Sequence, residues 1–281
     1  MKKLLTTFAA VTAIAVLAGC GDPATAPAAS PATKSAALKS SPYPSPKPSP
    51  EPVALTKANF APKVLAALKA KRTFRAVVIA AYGPHEVFTV DLRLLGGRSD
   101  MSVSTGQLRV VRIGQVIYMT APNLTVDPKR PWVKLALDSD DPALAARAKV
   151  VNALLNQMLV HQMLGGARHS VSFKQEGNLK IDDVPTLAYR FGVDVRKAAA
   201  ADSLGHYLNA RQAKTLKRVI DVNASVDEAN LPRETYFVLA DEKDREVRVR
   251  ATFSRFGENL TIAAPPKALI GKIRQRADPL A

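Results

Sequence analysis

The feature that most constrains this fold is a two-residue alternation of apolar and polar side chains that recurs along the chain. It is clear in the segments 87–95, 187–194 and 247–253. Successive residues of a strand point to opposite faces, so each of these strands has one apolar and one polar face. We therefore predict an antiparallel sheet that needs cover on one side only. At the start of a further strand, the same pattern predicts Val171 and Phe173 on the apolar face.

Two helical segments can supply that cover. The segment 55–73 places its apolar residues on one helical face. A second, longer helix is predicted to start at Pro142, with Asp141 as its cap, and to end at the glycine pair 165–166. This order of elements predicts an α+β fold of one domain, residues 55–275, in which a curved antiparallel half-barrel sheet wraps over helices.

The N-terminus has the pattern of an export signal. A short basic start precedes an apolar run over 4–17, which is too short for a comfortable membrane span of about 20 residues. The run ends in the motif LAGC (17–20), which resembles a bacterial lipobox, where the cysteine thiol takes a diacylglyceryl group. We predict a lipoprotein signal peptide over 1–19 and lipidation of Cys20. An ordinary signal peptide with a chance cysteine is the alternative.

Residues 20–54 are predicted to be a tether that begins at the lipidated cysteine. They are dominated by Pro, Ala, Ser and Thr, and proline occupies every second position from Pro42 to Pro52. Such a segment favours an extended, semi-rigid spacer. Since acyl chains on Cys20 would hold the chain to lipid, we expect the folded domain to lie on the outer face of the cell membrane. Cys20 is the only cysteine, so no intrachain disulfide can form.

The charge of the chain lies mainly in the predicted domain. The net charge is +16, and only five of the 40 lysines and arginines and two of the 24 acids precede residue 55, which leaves +13 on the remainder. A basic domain near a membrane favours anionic lipid or an anionic wall polymer as partner. A solvated surface without a specific partner is the alternative. Nucleic acid is not expected, because the predicted location is outside the cell.

Motifs for catalysis are missing from the sequence. The four histidines are scattered without metal-ligand spacing, and there is no nucleophile elbow, phosphate loop or dinucleotide fingerprint. The paired acids in the motif SDD (139–141) precede Pro142 and are interpreted as a helix cap. His161 is expected on a helix face near solvent. We predict that the chain binds no metal or cofactor and is not an enzyme.

The predicted strands and the long helix are rich in apolar side chains and poor in reactive groups. One apolar set comes from the strands and the other from the long helix, and the two sets either close into a solid core or leave an apolar cavity suited to acyl chains. The candidate pocket residues are Phe88, Val90, Leu92, Leu94, Met119, Val151, Leu155, Met158 and Met163.

Four segments, in this order, carry a resemblance to a known family. They are QLRVVRIGQVIYM (107–119), PWVKL (131–135), VDEANLPRE (226–234) and VRVRATFSRFGENLTIAAPP (247–266). Together with the lipobox, they make the chain similar to the LppX/LprG-type lipoproteins of mycobacteria and related actinobacteria, which resemble the Lol-type lipoprotein carriers in fold. The resemblance spans most of residues 55–270. The recurrent tryptophan of that family is replaced here by Ala224 or Ser225.

The resemblance implies a half-barrel with an apolar pocket that binds and passes on acylated lipids or lipoglycans, without catalytic residues. A monomer is expected. The main alternative is a tethered basic protein with a solid core that binds an anionic wall polymer or an envelope protein. An accessory factor for an envelope exporter is a third option.

Overall fold

The computed structural model describes residues 53–81 and 85–274. The predicted signal peptide, the lipidation site at Cys20 and the tether as far as residue 52 lie outside the described residues. In the described part, no helix is both long enough and apolar enough to cross a membrane.

Eleven antiparallel strands form one sheet in the described residues. Its order is β6-β5-β4-β3-β2-β1-β11-β10-β9-β8-β7, and the edge strands β6 and β7 do not pair with each other, so the sheet stays open. The strands are β1 (Thr73–Ala81), β2 (His85–Leu95), β3 (Arg98–Thr105), β4 (Leu108–Ile113), β5 (Val116–Thr120), β6 (Trp132–Ala136), β7 (Ser170–Ile181), β8 (Val184–Asp194), β9 (Val219–Asp227), β10 (Pro232–Ala240) and β11 (Glu246–Ser254).

The helices pack against one face of this sheet, which we call the covered face. They are α1 (Phe60–Lys71), α2 (Pro142–Asn156), α3 (Val195–Ala200) and α4 (Ala210–Ala213), with a 3-10 segment at Val160–His169. A second 3-10 segment, Lys267–Leu269, belongs to the C-terminal segment and has no buried residue. Phe60 of α1 contacts the rings of Phe173, Tyr189 and Phe191, with ring centroids 5.1–5.6 Å from its own. The α+β prediction, a one-sided antiparallel sheet under helices, is confirmed.

The opposite face, which we call the outer face, is partly covered by the C-terminal segment. Leu260 and Ile262 form a small second cluster with Val111 of β4, and Trp132 packs against it. The guanidinium of Arg109 lies 5.9 Å from the centre of the Trp132 ring. The outer face is therefore apolar only locally, while the covered face carries the main core.

The long helix predicted to end at the glycine pair is shorter than expected. Asp141 caps it as predicted, because its carboxylate accepts hydrogen bonds from the amides of Ala143 and Leu144. The α-helix nevertheless ends at Asn156, and residues 160–169 form a 3-10 segment. Residues 157–161 are all buried. An α-helix on a sheet presents only part of its circumference to the core, so the chain leaves the helix where every side chain must be enclosed.

The prediction that Val171 faces the core is wrong. The register between β7 and β8 shifts between Ser170 and Ser172, so a bulge places Ser170 inward and leaves Val171 61% exposed. An extra residue in one strand moves the side chains on one side of the bulge to the opposite face of the sheet. Phe173, beyond the bulge, packs against the core as expected.

Gly165 stands where the 3-10 segment meets the loop after α3. A Cβ atom here would overlap the backbone carbonyl of Ser203. We expect Gly165→Ala to lower the free energy of unfolding by about 2–3 kcal/mol, because backbone must move to admit the methyl group. Gly96→Ala is the control, because Gly96 has a positive φ but no atom close enough to contact an added Cβ. Backbone strain alone should lower the free energy of unfolding of this variant by about 1 kcal/mol. Urea denaturation of both variants measures the difference, and equal losses would contradict the close packing.

Candidate functional site

The covered face is apolar in continuous rows that cross the strands. In one row, Ala76, Val90, Val103, Val110, Met119 and Val133 lie side by side from β1 to β6. All six are buried in a single core cluster. Small side chains occupy the centre of a second row, which contains Val78, Ala251, Thr235, Ala224 and Tyr189. All five residues of this second row are buried, with exposures of 0–3%.

The structure brings the candidate pocket residues to this region. Buried on the covered face are the strand residues Phe88, Val90, Leu92 and Met119. Val151 and Leu155 of α2 belong to the same cluster, as do Met158 and Met163, which follow α2 rather than belonging to it. Leu94 is half-buried and packs at the margin. These residues therefore share one buried apolar cluster on the covered face.

Four buried side-chain atoms have no hydrogen-bond partner in the described part of the protein: Glu86 Oε1, His161 Nδ1, Ser170 Oγ and Tyr207 Oη. The ring of Tyr207 packs edge-on against Phe237 at 5.8 Å, and burial raises the pKa of its hydroxyl. Burial also raises the pKa of the Glu86 carboxyl. Folded cores satisfy nearly all their polar atoms, so these four are exceptional.

The prediction that His161 lies near solvent is wrong. It belongs to the 3-10 segment, is 4% exposed and packs edge-on against Phe74 at 5.2 Å. Removal from water lowers the pKa of its imidazole to about 4. The ring is therefore neutral at pH 7 and acts as part of the core.

One charged residue of the covered face was missed by the sequence reasoning. Arg112 of β4 lies opposite Met101 and Ile117, two fully buried residues of the neighbouring strands. Its Nη1 donates to Asn152 Oδ1 at 2.9 Å and to Asn156 Oδ1 at 2.7 Å, both on α2. The two-residue alternation of β4 could have identified it, because Arg112 falls on the same face of the strand as Leu108 and Val110.

The reactive groups of the described residues do not form a catalytic constellation that we can recognise. No group of three or more potential metal ligands converges in this part of the chain. His169 Nε2 lies 2.9 Å from Ser203 Oγ, which is the first contact of a serine hydrolase site. In the described residues, however, no carboxylate is hydrogen-bonded to the other ring nitrogen of His169, so the orienting third member of a triad is missing.

A separate groove of about 410 Å³ lies on the outer face across β8–β11. It is lined by charged and polar side chains together with apolar ones such as Val219 and Val238. Two of its lining cations already have partners, since Arg190 pairs with Asp221 at 3.0 Å and Lys217 pairs with Asp244. The groove contains none of the candidate pocket residues, and it supplies positions for control substitutions.

No known family model matches this chain, and no curated protein does. Among solved structures, LppX of Mycobacterium tuberculosis is 13% identical with a TM-score of 0.46, covering 74% of this chain and 98% of LppX. LprF of Mycobacterium bovis is 12% identical with the same TM-score, covering 74% and 96%. A LolA superfamily protein of Nitrosomonas europaea is 11% identical with a TM-score of 0.26, covering 78% and 99%. These identities and TM-scores assign no family and no function to this chain.

Proposed function

We propose that this protein is a non-catalytic envelope lipoprotein that holds the acyl chains of a lipid or lipoglycan against the covered face of its sheet. In this proposal Cys20 carries the lipid anchor and residues 20–54 tether the domain to the outer face of the cell membrane. The ligand lies between the sheet and the segment 142–163, where the candidate pocket residues cluster.

The observation that carries the proposal is an apolar covered face with buried polar atoms that have no partner. A hydroxyl or imidazole nitrogen in an apolar core costs free energy unless it is hydrogen-bonded. Tyr207 Oη and His161 Nδ1 have no partner among the described residues, and both rings pack against apolar side chains. A lipid with ester or hydroxyl groups offers such partners, while its chains match the apolar rows.

The small side chains at the centre of the covered face support the same proposal. Val78, Ala251, Thr235 and Ala224 are neighbours in one row, and Thr235 already donates its hydroxyl proton to the carbonyl of Asn223. The row therefore offers a shallow, apolar floor. Ligand sites in proteins are mostly apolar with a few placed polar groups.

The alternative of a basic protein that binds an anionic wall polymer has less support. Several arginines of the outer face are engaged with carboxylates, as in the pairs Arg250–Glu234 at 2.6 Å and Arg190–Asp221 at 3.0 Å. Polyanions bind to cations whose charge is available. These pairs lower the charge that the outer face presents.

Lipid retention tests the proposal directly. The purified full chain is incubated with vesicles that contain diacylglycerol and phosphatidylglycerol, and retained lipid is measured by native mass spectrometry. Val90→Trp puts a bulky ring between Ala76 and Val103 on the covered face. We expect it to lower retained lipid by about tenfold, because the ring takes up space that the acyl chains use.

Val219→Trp is the matched control, since Val219 is 42% exposed on the outer face and its replacement should leave retention unchanged. If Val90→Trp does not fold, Ala251→Leu makes a milder intrusion on the same face. A wild-type protein that shows only its bare mass under gentle conditions would overturn the proposal. So would equal retention by the covered-face and control variants.

A further inference from the structure

We propose that Arg112, with Asn152 and Asn156, binds the anionic headgroup of the lipid. This inference rests on the proposed function, because it assigns a ligand class to the same covered face. Arg112 is 7% exposed and points from β4 towards α2, since its Nη1 reaches two asparagines of that helix. A buried guanidinium needs acceptors, and a full counter-charge is its best partner.

The acceptors that Arg112 has are all neutral. Besides the two asparagine oxygens, Nη2 donates to Ser99 Oγ at 3.1 Å and to the Ser99 carbonyl at 3.4 Å. Among the described residues, no carboxylate lies within ion-pair distance of Arg112. The nearby Asp100 follows Ser99 on the outward phase of β3 and pairs with Arg93 at 3.8 Å. Burial lowers the pKa of Arg112 and the charge of Asp100 raises it through space, but no carboxylate of the described residues contacts the guanidinium directly.

The hydrogen-bond chemistry leaves a surplus of donors. A guanidinium only donates, so the two asparagines must turn their Oδ1 atoms towards Arg112 and their amide nitrogens away. In the described residues, no protein acceptor is hydrogen-bonded to either amide nitrogen or to Arg112 Nε, and these three nitrogens reach solvent, since they are not among the buried atoms without a partner. The cluster thus combines one positive charge with several free N–H groups and lacks further acceptors. Phosphate, sulfate or carboxylate oxygens are the complementary chemistry.

The cluster stands at the end of the covered face. Arg112 is the last inward residue of β4 before the turn at Gly114, and Ser99 lies just after the β2–β3 turn. Ser99, Asn152 and Asn156 are half-buried, so water reaches their margin. Val110, two residues before Arg112 on β4, belongs to the apolar row that runs from Ala76 to Val133. This order of polar margin and apolar interior fits an amphiphile with its headgroup at the margin and its chains inside.

Headgroup preference tests the inference. The full chain is offered vesicles that contain phosphatidylglycerol and diacylglycerol with identical acyl chains, and both retained lipids are quantified by mass spectrometry. Wild type is expected to prefer the phosphate-bearing lipid. Arg112→Gln should lower retention of phosphatidylglycerol by about tenfold and leave retention of diacylglycerol unchanged, because only the headgroup contact is lost. Arg112→Lys, which keeps the charge, should retain an intermediate preference.

Two further variants sharpen the test. Arg109→Gln makes the same substitution on the same strand, but Arg109 lies over Trp132 on the outer face. This variant should leave the retention of both lipids unchanged. Asn152→Asp places a carboxylate on Arg112 and supplies the missing counter-charge from within the protein. It should fold normally and lose the preference for phosphatidylglycerol. It therefore keeps the inference testable if Arg112→Gln does not fold.

The outcomes separate this inference from the proposed function. If wild type retains both lipids equally, or if Arg112→Gln lowers both retentions together, the headgroup site is wrong and the lipid-binding function stands. Unchanged preference in Asn152→Asp would also overturn the site. If wild type retains neither lipid, the proposed function itself fails. Free inorganic phosphate is expected to compete for the site and to lower retention of phosphatidylglycerol alone, whereas an equal loss of both lipids would contradict the headgroup site.

Discussion

Replacing Phe60 by Ala is expected to cost about 4 kcal/mol of unfolding free energy, the largest effect of any substitution considered. Phe60 is fully buried, and loss of a buried phenylalanine costs about 3–5 kcal/mol through lost transfer free energy and the cavity that remains. Its ring also contacts Phe173, Tyr189 and Phe191, and each aromatic pair adds about 0.5–1.5 kcal/mol. These contacts hold α1 to β7 and β8.

Urea denaturation followed by far-ultraviolet circular dichroism gives the free energy of unfolding for this test. Val87→Ala is the control, because Val87 is 50% exposed on β2 and exposed substitutions change stability by about 0.5 kcal/mol or less. A loss below about 1.5 kcal/mol for Phe60→Ala would contradict the role of this ring as the anchor of α1. Because Phe60 holds α1 against β7 and β8 on the covered face, the same variant should also release bound lipid under the proposed function.

Much of the sheet could be predicted because strand alternation directly encodes which face a residue occupies. Phe88, Val90 and Leu92 are spaced by two in the sequence and lie on the covered face. The two-residue period requires no knowledge of the neighbouring strands. The antiparallel arrangement also follows from short turns between consecutive strands, such as the glycine turn between β2 and β3.

The errors arise where tertiary contacts override a local period. At Val171 a single bulge reverses the face, and nothing in the alternation itself signals a bulge. At His161 the periodicity of a continued helix predicts an exposed face, but the helix ends at Asn156 and the next residues are enclosed on all sides. Gly165, read as a stop signal, is instead required by close packing against Ser203.

Arg112 was missed for a different reason. An arginine at an apolar phase position is usually read as an interruption of the pattern, and its partners Asn152 and Asn156 lie 40 and 44 residues away in sequence. Only the packing of α2 over the sheet brings them together. Contacts of this kind depend on the three-dimensional register of two elements, which alternation and helical periodicity do not specify.

Protonation of His161 should destabilise this protein as the pH falls below about 6.5, which is above the ordinary pKa of a carboxyl group. The imidazole has a pKa of about 4 in the fold, against 6.5 as its ordinary value, because burial disfavours its charged form. Between these two pKa values, His161 is protonated in the unfolded chain and neutral in the folded protein. Stability is therefore fully present above about pH 6.5 and falls as the pH drops towards 4, by about 2 kcal/mol between about pH 7 and pH 4.5.

His161→Phe removes this dependence, since its ring is apolar and can keep the edge-on contact with Phe74. Unfolding free energies of wild type and variant, measured from about pH 7 to pH 4.5, should diverge by about 2 kcal/mol at the acid end. Burial raises the pKa of Glu86, which changes stability with pH in the opposite direction, and this contribution is shared by both proteins. The difference between the two curves therefore isolates His161. Parallel curves would show that the imidazole is accessible to protons in the fold, contrary to its buried position beside Phe74.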